Sequence, residues 1–75
     1  MRFKTLDLHG HYHDAIERLV SNFIFLNDLP VQIITGKSNR MRELVQQILE
    51  RHGFEYHIER WTNDGCLIVD KKRET

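Results

Sequence analysis

The chain opens with an apolar and polar alternation, Leu6-Asp7-Leu8, that ends abruptly in His9 and Gly10. Successive side chains on a strand point to opposite faces, so Leu6 and Leu8 share one face and Asp7 takes the other. A strand is therefore expected over residues 3–8, with Gly10 allowing a sharp turn out of it. The period then changes. Ile16, Leu19, Val20, Phe23 and Ile24 recur at the spacing of one helical stripe, which predicts an amphipathic helix over residues 13–26. Asp14 and Glu17 suit the positive end of its dipole, and Asn27-Asp28-Leu29-Pro30 supplies the stop.

Val31-Gln32-Ile33-Ile34-Thr35 is rich in β-branched residues and breaks at Gly36, as a second strand would. A second stripe, Met41, Leu44, Val45, Ile48 and Leu49, predicts a helix over residues 39–52. Ser38 or Asn39 is its candidate N-cap, and Gly53 fits a left-handed C-terminal cap. Phe54, Tyr56 and Ile58 alternate with Glu55, His57 and Glu59, giving a third strand over residues 54–61. An apolar run over residues 66–70 gives the fourth, and Thr62-Asn63-Asp64-Gly65 between them is hairpin chemistry. Residues 71–75 read as a charged, disordered tail.

The order is β-α-β-α-β-β. Crossovers between parallel strands of one sheet are right-handed in about 98% of cases, so two consecutive units place both helices on one face. The expected fold is an α/β two-layer sandwich with four strands. Its helix-free face would carry Thr5, Asp7 and either the Glu55, His57, Glu59 set or its opposite, as a solvated surface or as a binding platform.

Size and charge narrow this picture. Seventy-five residues allow one small domain, 1–75, with one core. Eleven basic and eleven acidic side chains cancel, which excludes a protein that coats duplex DNA through bulk charge and leaves a local patch as the route to nucleic acid. Cys66 is the only cysteine, so neither an internal disulfide nor a four-cysteine zinc site can form; as a small buried residue it suits a reducing cytoplasm. No apolar run approaches the roughly 20 residues of a membrane span, and no signal core follows Met1. A cytoplasmic protein without a membrane partner is expected.

Ligands of open parallel sheets collect at the carboxyl ends of the strands. There the chain places His9-Gly10-His11-Tyr12-His13 after the first strand and Thr35-Gly36-Lys37-Ser38 after the second. If the strands are neighbours, the two loops share an edge. The second loop opens a helix, whose free N–H groups favour an anion, and Lys37, Arg40 and Arg42 add positive charge; a phosphate is the natural guest. Gly36-Lys37-Ser38 resembles the end of a nucleotide-binding P-loop, but Val31 stands where that motif needs its earlier glycine, so a nucleoside triphosphate is excluded. Thr35, Gly36, Lys37, Ser38, Asn39 and Arg40 are the candidate phosphate contacts, with Gly10, His11 and His13 from the facing loop. The alternative is a plain strand-to-helix turn.

Asp7 and His9 are the candidate catalytic pair. An imidazole titrates near neutrality and can act as general acid or base, or donate to a phosphate oxygen. Asp7 can orient it, hold a magnesium ion or act as a base; alternatively the pair only locks the turn. The alternating His9, His11 and His13 also raise a metal-dependent hydrolase reading. Tyr12 and Trp61 are either core residues or stacking platforms for bases. His52 suits a helix C-terminus and His57 a sheet surface.

Leu6-Asp7-Leu8-His9-Gly10 followed by Ile33-Ile34-Thr35-Gly36-Lys37-Ser38 resembles the paired signature of the Smr (small MutS-related) domain. The resemblance implies the two-layer fold of the C-terminal domain of a bacterial translation initiation factor, with sheet order 1-2-4-3 and the last strand antiparallel. It implies nucleic-acid binding, DNA or RNA, and in several members endonuclease activity that nicks DNA or cleaves RNA, including messenger RNA on stalled ribosomes. The first motif, here Asp7 and His9, is the part assigned to cleavage. The second, usually Thr-Gly-x-Gly, aligns with Thr35-Gly36-Lys37-Ser38 and departs from it at Ser38. A serine hydroxyl can cap a helix or bind phosphate, whereas losing glycine narrows the freedom of the backbone. The chain is thus expected to be a stand-alone Smr-like domain that binds nucleic acid and cuts phosphodiester bonds, or else a non-catalytic adaptor for nucleic acid or the ribosome.

Overall fold

The computed structural model describes residues 3–59 and 65–73. Each alternating stretch forms a strand and each stripe a helix: β1 (Lys4–Asp7), α1 (Ile16–Leu26), β2 (Val31–Ile34), α2 (Asn39–Arg51), β3 (Phe54–Glu59) and β4 (Cys66–Lys72). The four strands make one sheet in the order β1-β2-β4-β3. β1 and β2 are parallel, and β4 is antiparallel to both β2 and β3. An α/β sandwich with this mixed sheet is the fold expected.

One face of the sheet is the core. Val31, Ile33, Leu67 and Val69 are fully buried there beneath Ile16, Val20 and Ile24 of α1 and Met41, Val45, Ile48 and Leu49 of α2. Burying such a side chain contributes about 1.5–3 kcal/mol, so the two stripes anchor both helices on this side. The other face follows from the register. One row across it is Asp7, Ile34, Cys66 and Glu59, and the next is Thr5, Gln32, Ile68 and His57. Of the two alternatives for β3, His57 and Glu59 therefore lie on the helix-free face, while Tyr56 reaches Glu50 of α2 on the helix side. A register shift between Glu55 and Tyr56 breaks the alternation at its start.

Several boundaries differ from the expected ones. Residues 13–15 form a 3-10 turn, and the α-helix begins at Ile16. Tyr12 offers no side-chain cap, and the Ala15 N–H instead bonds the Tyr12 carbonyl at 3.2 Å, the tighter bonding by which uncapped helix ends satisfy their donors. β4 continues through Lys71 and Lys72, opposite Glu55 and Phe54, so the charged tail begins later than residue 71. Backbone pairing with β3 is indifferent to the polarity of side chains that face solvent. Trp61 and the turn residues 62–64 lie outside the described residues. Among the described residues no helix is long and apolar enough to cross a membrane.

Candidate nucleic-acid interface

Because β1 and β2 are parallel neighbours with Asp7 opposite Ile34, both strands end at the same edge. Leu8 extends the pairing by one bond, its N–H donating to the Ile34 carbonyl at 2.8 Å. The chain then turns. The His11 N–H reaches back to the Leu8 carbonyl at 3.0 Å, and Gly10 takes a φ of 85°, a left-handed value that suits glycine. Inside this turn an Asp7 carboxylate oxygen accepts the backbone N–H of His9 at 2.9 Å. Asp7 thus grips the main chain of His9 and not its imidazole, and the pair is exposed, not buried.

The second loop stands against the first. Gly36 has a φ of 74°, and a β-carbon placed on it would stand 4.0 Å from that of His9, an ordinary contact distance. Asp7, His9, Ile34, Gly36 and Lys37 together line a cleft of ≈ 380 Å³, within the range of about 300–1,000 Å³ typical of ligand sites. Ile34 is the apolar floor that the motif reading passed over. The only signal for it is its place directly before the loop.

Ser38 is the N-cap of α2: its hydroxyl oxygen accepts the Met41 N–H at 3.1 Å, which leaves the hydroxyl proton free to donate. Its backbone sits at φ −78° and ψ 117°, extended values open to any residue, so Ser38 needs no left-handed freedom. Asn39 and Arg40 are exposed in the first turn of α2, a turn without an acidic residue. Lys37 is exposed beside them. The positive end of the helix dipole is thus reinforced by cations alone.

Thr35 differs from the expectation. It is only 2% exposed, and its hydroxyl donates inward to the Gly65 carbonyl at 3.1 Å, so it cannot also serve as a phosphate ligand. His13 is also elsewhere. It lines a separate groove of ≈ 210 Å³ between the helices, with Glu17, Leu44 and Arg51, where Arg51 pairs with Glu17 at 2.7 Å. His11 and Gly10 are exposed and do not line the cleft. Among the described residues no three His, Cys, Asp or Glu side chains converge to hold a metal ion, so His9, His11 and His13 do not assemble as a triad. Among the described residues Asp7 is the only carboxylate lining the cleft; a magnesium ion there would draw its remaining ligands from water and substrate phosphates, as that ion commonly does. Tyr12 is 83% exposed, which excludes it from the core.

Two further residues stand behind the site, Gly65, which had no clear mark in the sequence, and Arg42, which the sequence marked only as positive charge. Gly65 packs against the turn at Thr35 and Gly36; read as part of a hairpin, it carried only the weak signal of a glycine beside a strand. Arg42 folds behind the same turn, with its enclosed Nε lacking a hydrogen-bond partner.

On the far side of the open face, His57 lies between two carboxylates, with Nδ1 2.8 Å from Asp70 and Nε2 2.9 Å from Glu59. These hydrogen bonds, the one to Asp70 foremost, push its pKa up. Cys66 is buried between the cleft and this cluster, and burial pushes its thiol up although a hydrogen bond from Gln32 pulls the other way. A raised thiol is a poor nucleophile, which argues against a nucleophilic role for Cys66. No family model, curated protein or solved structure matches the chain.

Proposed function

We propose that this chain is an Smr-like nucleic-acid-binding domain that cleaves phosphodiester bonds at the edge formed by β1, β2 and α2. The observation that carries the reading is the single cleft into which Asp7, His9, Gly36 and Lys37 all open. A backbone phosphate seated on the first turn of α2 would meet its free N–H groups and the Lys37 ammonium, while the Ser38 hydroxyl donates a further bond. His9 would then stand beside the phosphorus.

On RNA, the His9 imidazole removes the proton of the adjacent 2′-hydroxyl. The resulting oxygen attacks phosphorus, the P–O5′ bond breaks, and the leaving oxygen takes a proton from water. On DNA the same base deprotonates a water molecule, whose oxygen attacks phosphorus as the bond to one sugar oxygen breaks, and that departing oxygen takes a proton from water. Lys37 offsets the charge that accumulates on the phosphoryl oxygens, the kind of electrostatic contribution that usually dominates such sites. Asp7 contributes by fixing the His9 backbone, and its second carboxylate oxygen stays available as a base or a magnesium ligand.

The test is incubation of purified protein with labelled single-stranded RNA and branched DNA, with and without magnesium, beside His9→Ala. Cleavage by the wild type that falls at least about 100-fold in His9→Ala is expected, the scale of one general base. Equal cleavage by the variant removes the assignment. The second reading, an adaptor that docks on RNA or the ribosome without cutting, is favoured by Asp7 being engaged with the main chain. It predicts binding that weakens in Lys37→Ala, with every substrate left intact.

A further inference from the structure

The turn that carries Gly36 and Lys37 is held from behind by a residue distant in sequence. Gly65, immediately before β4, offers its carbonyl to both the backbone N–H of Thr35, at 2.9 Å, and the Thr35 hydroxyl, at 3.1 Å. The approach is close enough to exclude any side chain. A β-carbon at Gly65 would collide with the Gly36 carbonyl oxygen, stand 2.9 Å from the Thr35 hydroxyl and meet the Arg42 guanidinium at 3.4 Å. Gly65 also takes a φ of 68°. Two independent constraints, space and dihedral, therefore require glycine there.

This contact has a directional consequence. In a planar trans peptide the C=O and the following N–H point opposite ways. The Gly36 carbonyl faces Gly65 and lies 3.4 Å from the Thr35 hydroxyl, so the Lys37 N–H points away from Gly65. Turning that peptide over would present a carbonyl oxygen in its place and repel an anion. Gly36, with the widest backbone freedom of any residue type, is where such a flip is easiest.

We infer that Thr35 and Gly65 form a clamp that holds the Gly36–Lys37 peptide with its N–H outward, which makes them positioning residues of the anion site and ties that site to the start of β4. The inference rests on the phosphate-binding reading above. It reassigns Thr35 from ligand to support: its hydroxyl acts on the turn and never touches the phosphate. The benefit to affinity comes from preorganisation, since a turn already in its bound shape loses less entropy when the anion arrives.

The experiment is an amide-resolved NMR titration with inorganic phosphate and with a short single-stranded RNA, on wild type, Lys37→Ala, Thr35→Val, Thr35→Ser and Gly65→Ala. Thr35→Val keeps shape and the backbone bond but loses the hydroxyl; Thr35→Ser keeps the hydroxyl. The expected result is a Lys37 amide shift in wild type, about fivefold weaker binding in Thr35→Val with that shift diminished, and recovery in Thr35→Ser, the scale of one buried hydrogen bond. Gly65→Ala is expected to lose more. If Gly65→Ala does not fold, the Val and Ser pair at Thr35 decides. Wild-type affinity and an undiminished Lys37 shift in Thr35→Val overturn the clamp while leaving the phosphate reading intact. A wild type that binds neither probe overturns the phosphate reading itself, and the clamp with it.

Discussion

Asp7 shows how a single side chain can hold a site together before it does any chemistry. Its bond to the His9 N–H fixes the turn, so Asp7→Ala should cost about 1 kcal/mol of stability. Asp7→Asn keeps an acceptor oxygen and should change stability by less than about 0.5 kcal/mol. Chemical unfolding measures both, and cleavage by Asp7→Asn then separates the roles: a scaffold survives the change, a base or metal ligand does not. Ser38 supports a second prediction. Since its hydroxyl caps α2, Ser38→Ala should lose about 1 kcal/mol, whereas Ser38→Gly should lose only a few tenths. Thermal melts on the two variants test the cap, and a loss in Ser38→Gly as large as in Ser38→Ala would refute it. The turn chemistry around these residues was legible in the sequence. The direction of each bond was not, because an Asp beside a His does not say whether the carboxylate reaches an imidazole or a main-chain donor.

At the scale of elements, the open face of β3 and β4 carries a pH response. His57 bridges Asp70 and Glu59, so its folded pKa lies above its unfolded value of about 6.5. A raised folded pKa means that its contribution is fully present below the unfolded pKa and is lost as pH rises through the folded one. Stability should therefore fall on moving from mildly acidic to mildly alkaline buffer, and His57→Gln should flatten that slope; denaturant melts across the range give the readout. Exposure of the cluster to solvent keeps the effect small. On the helix side, burial and the 2.6 Å bond to Glu50 push Tyr56 up to about 12. Ultraviolet titration should find one tyrosine ionising near that value, and Tyr56→Phe should remove it. Element types followed directly from periodicity, since stripes and alternations are local properties. Ends were less legible: Tyr12 cannot cap, which delays α1, and cross-strand pairing carries β4 through two lysines.

The molecule as a whole has zero formal charge, yet Lys37 and Arg40 stand at one edge with Asp7 as the only acid lining the cleft among the described residues. Binding should accordingly depend on salt in proportion to a few phosphates, with a log–log slope of roughly −1 to −3. Lys37→Ala should reduce that slope by about 1; an unchanged slope would remove Lys37 from the interface. The core sets the stability available for all of this. Leu49, fully buried in α2, should cost about 2–5 kcal/mol as Leu49→Ala, a large part of what so small a domain possesses, and calorimetry would show it as a strongly lowered melting temperature.

The chain by itself determined the class of fold, the succession of elements and the two loops at the carboxyl ends of β1 and β2, because hydrophobic period, caps and turn residues act over a few neighbours. Whether those loops meet was a conditional expectation, and the parallel pairing of β1 with β2 is what joins Asp7, His9, Gly36 and Lys37 in one cleft. Tertiary structure alone sent His13 into the groove between the helices, turned the Thr35 hydroxyl inward and set Gly65 behind the turn at Gly36 and Lys37. The first depends on the packing of α1 against α2 and the other two on β4 pairing with β2, long-range contacts that no local pattern along the chain encodes.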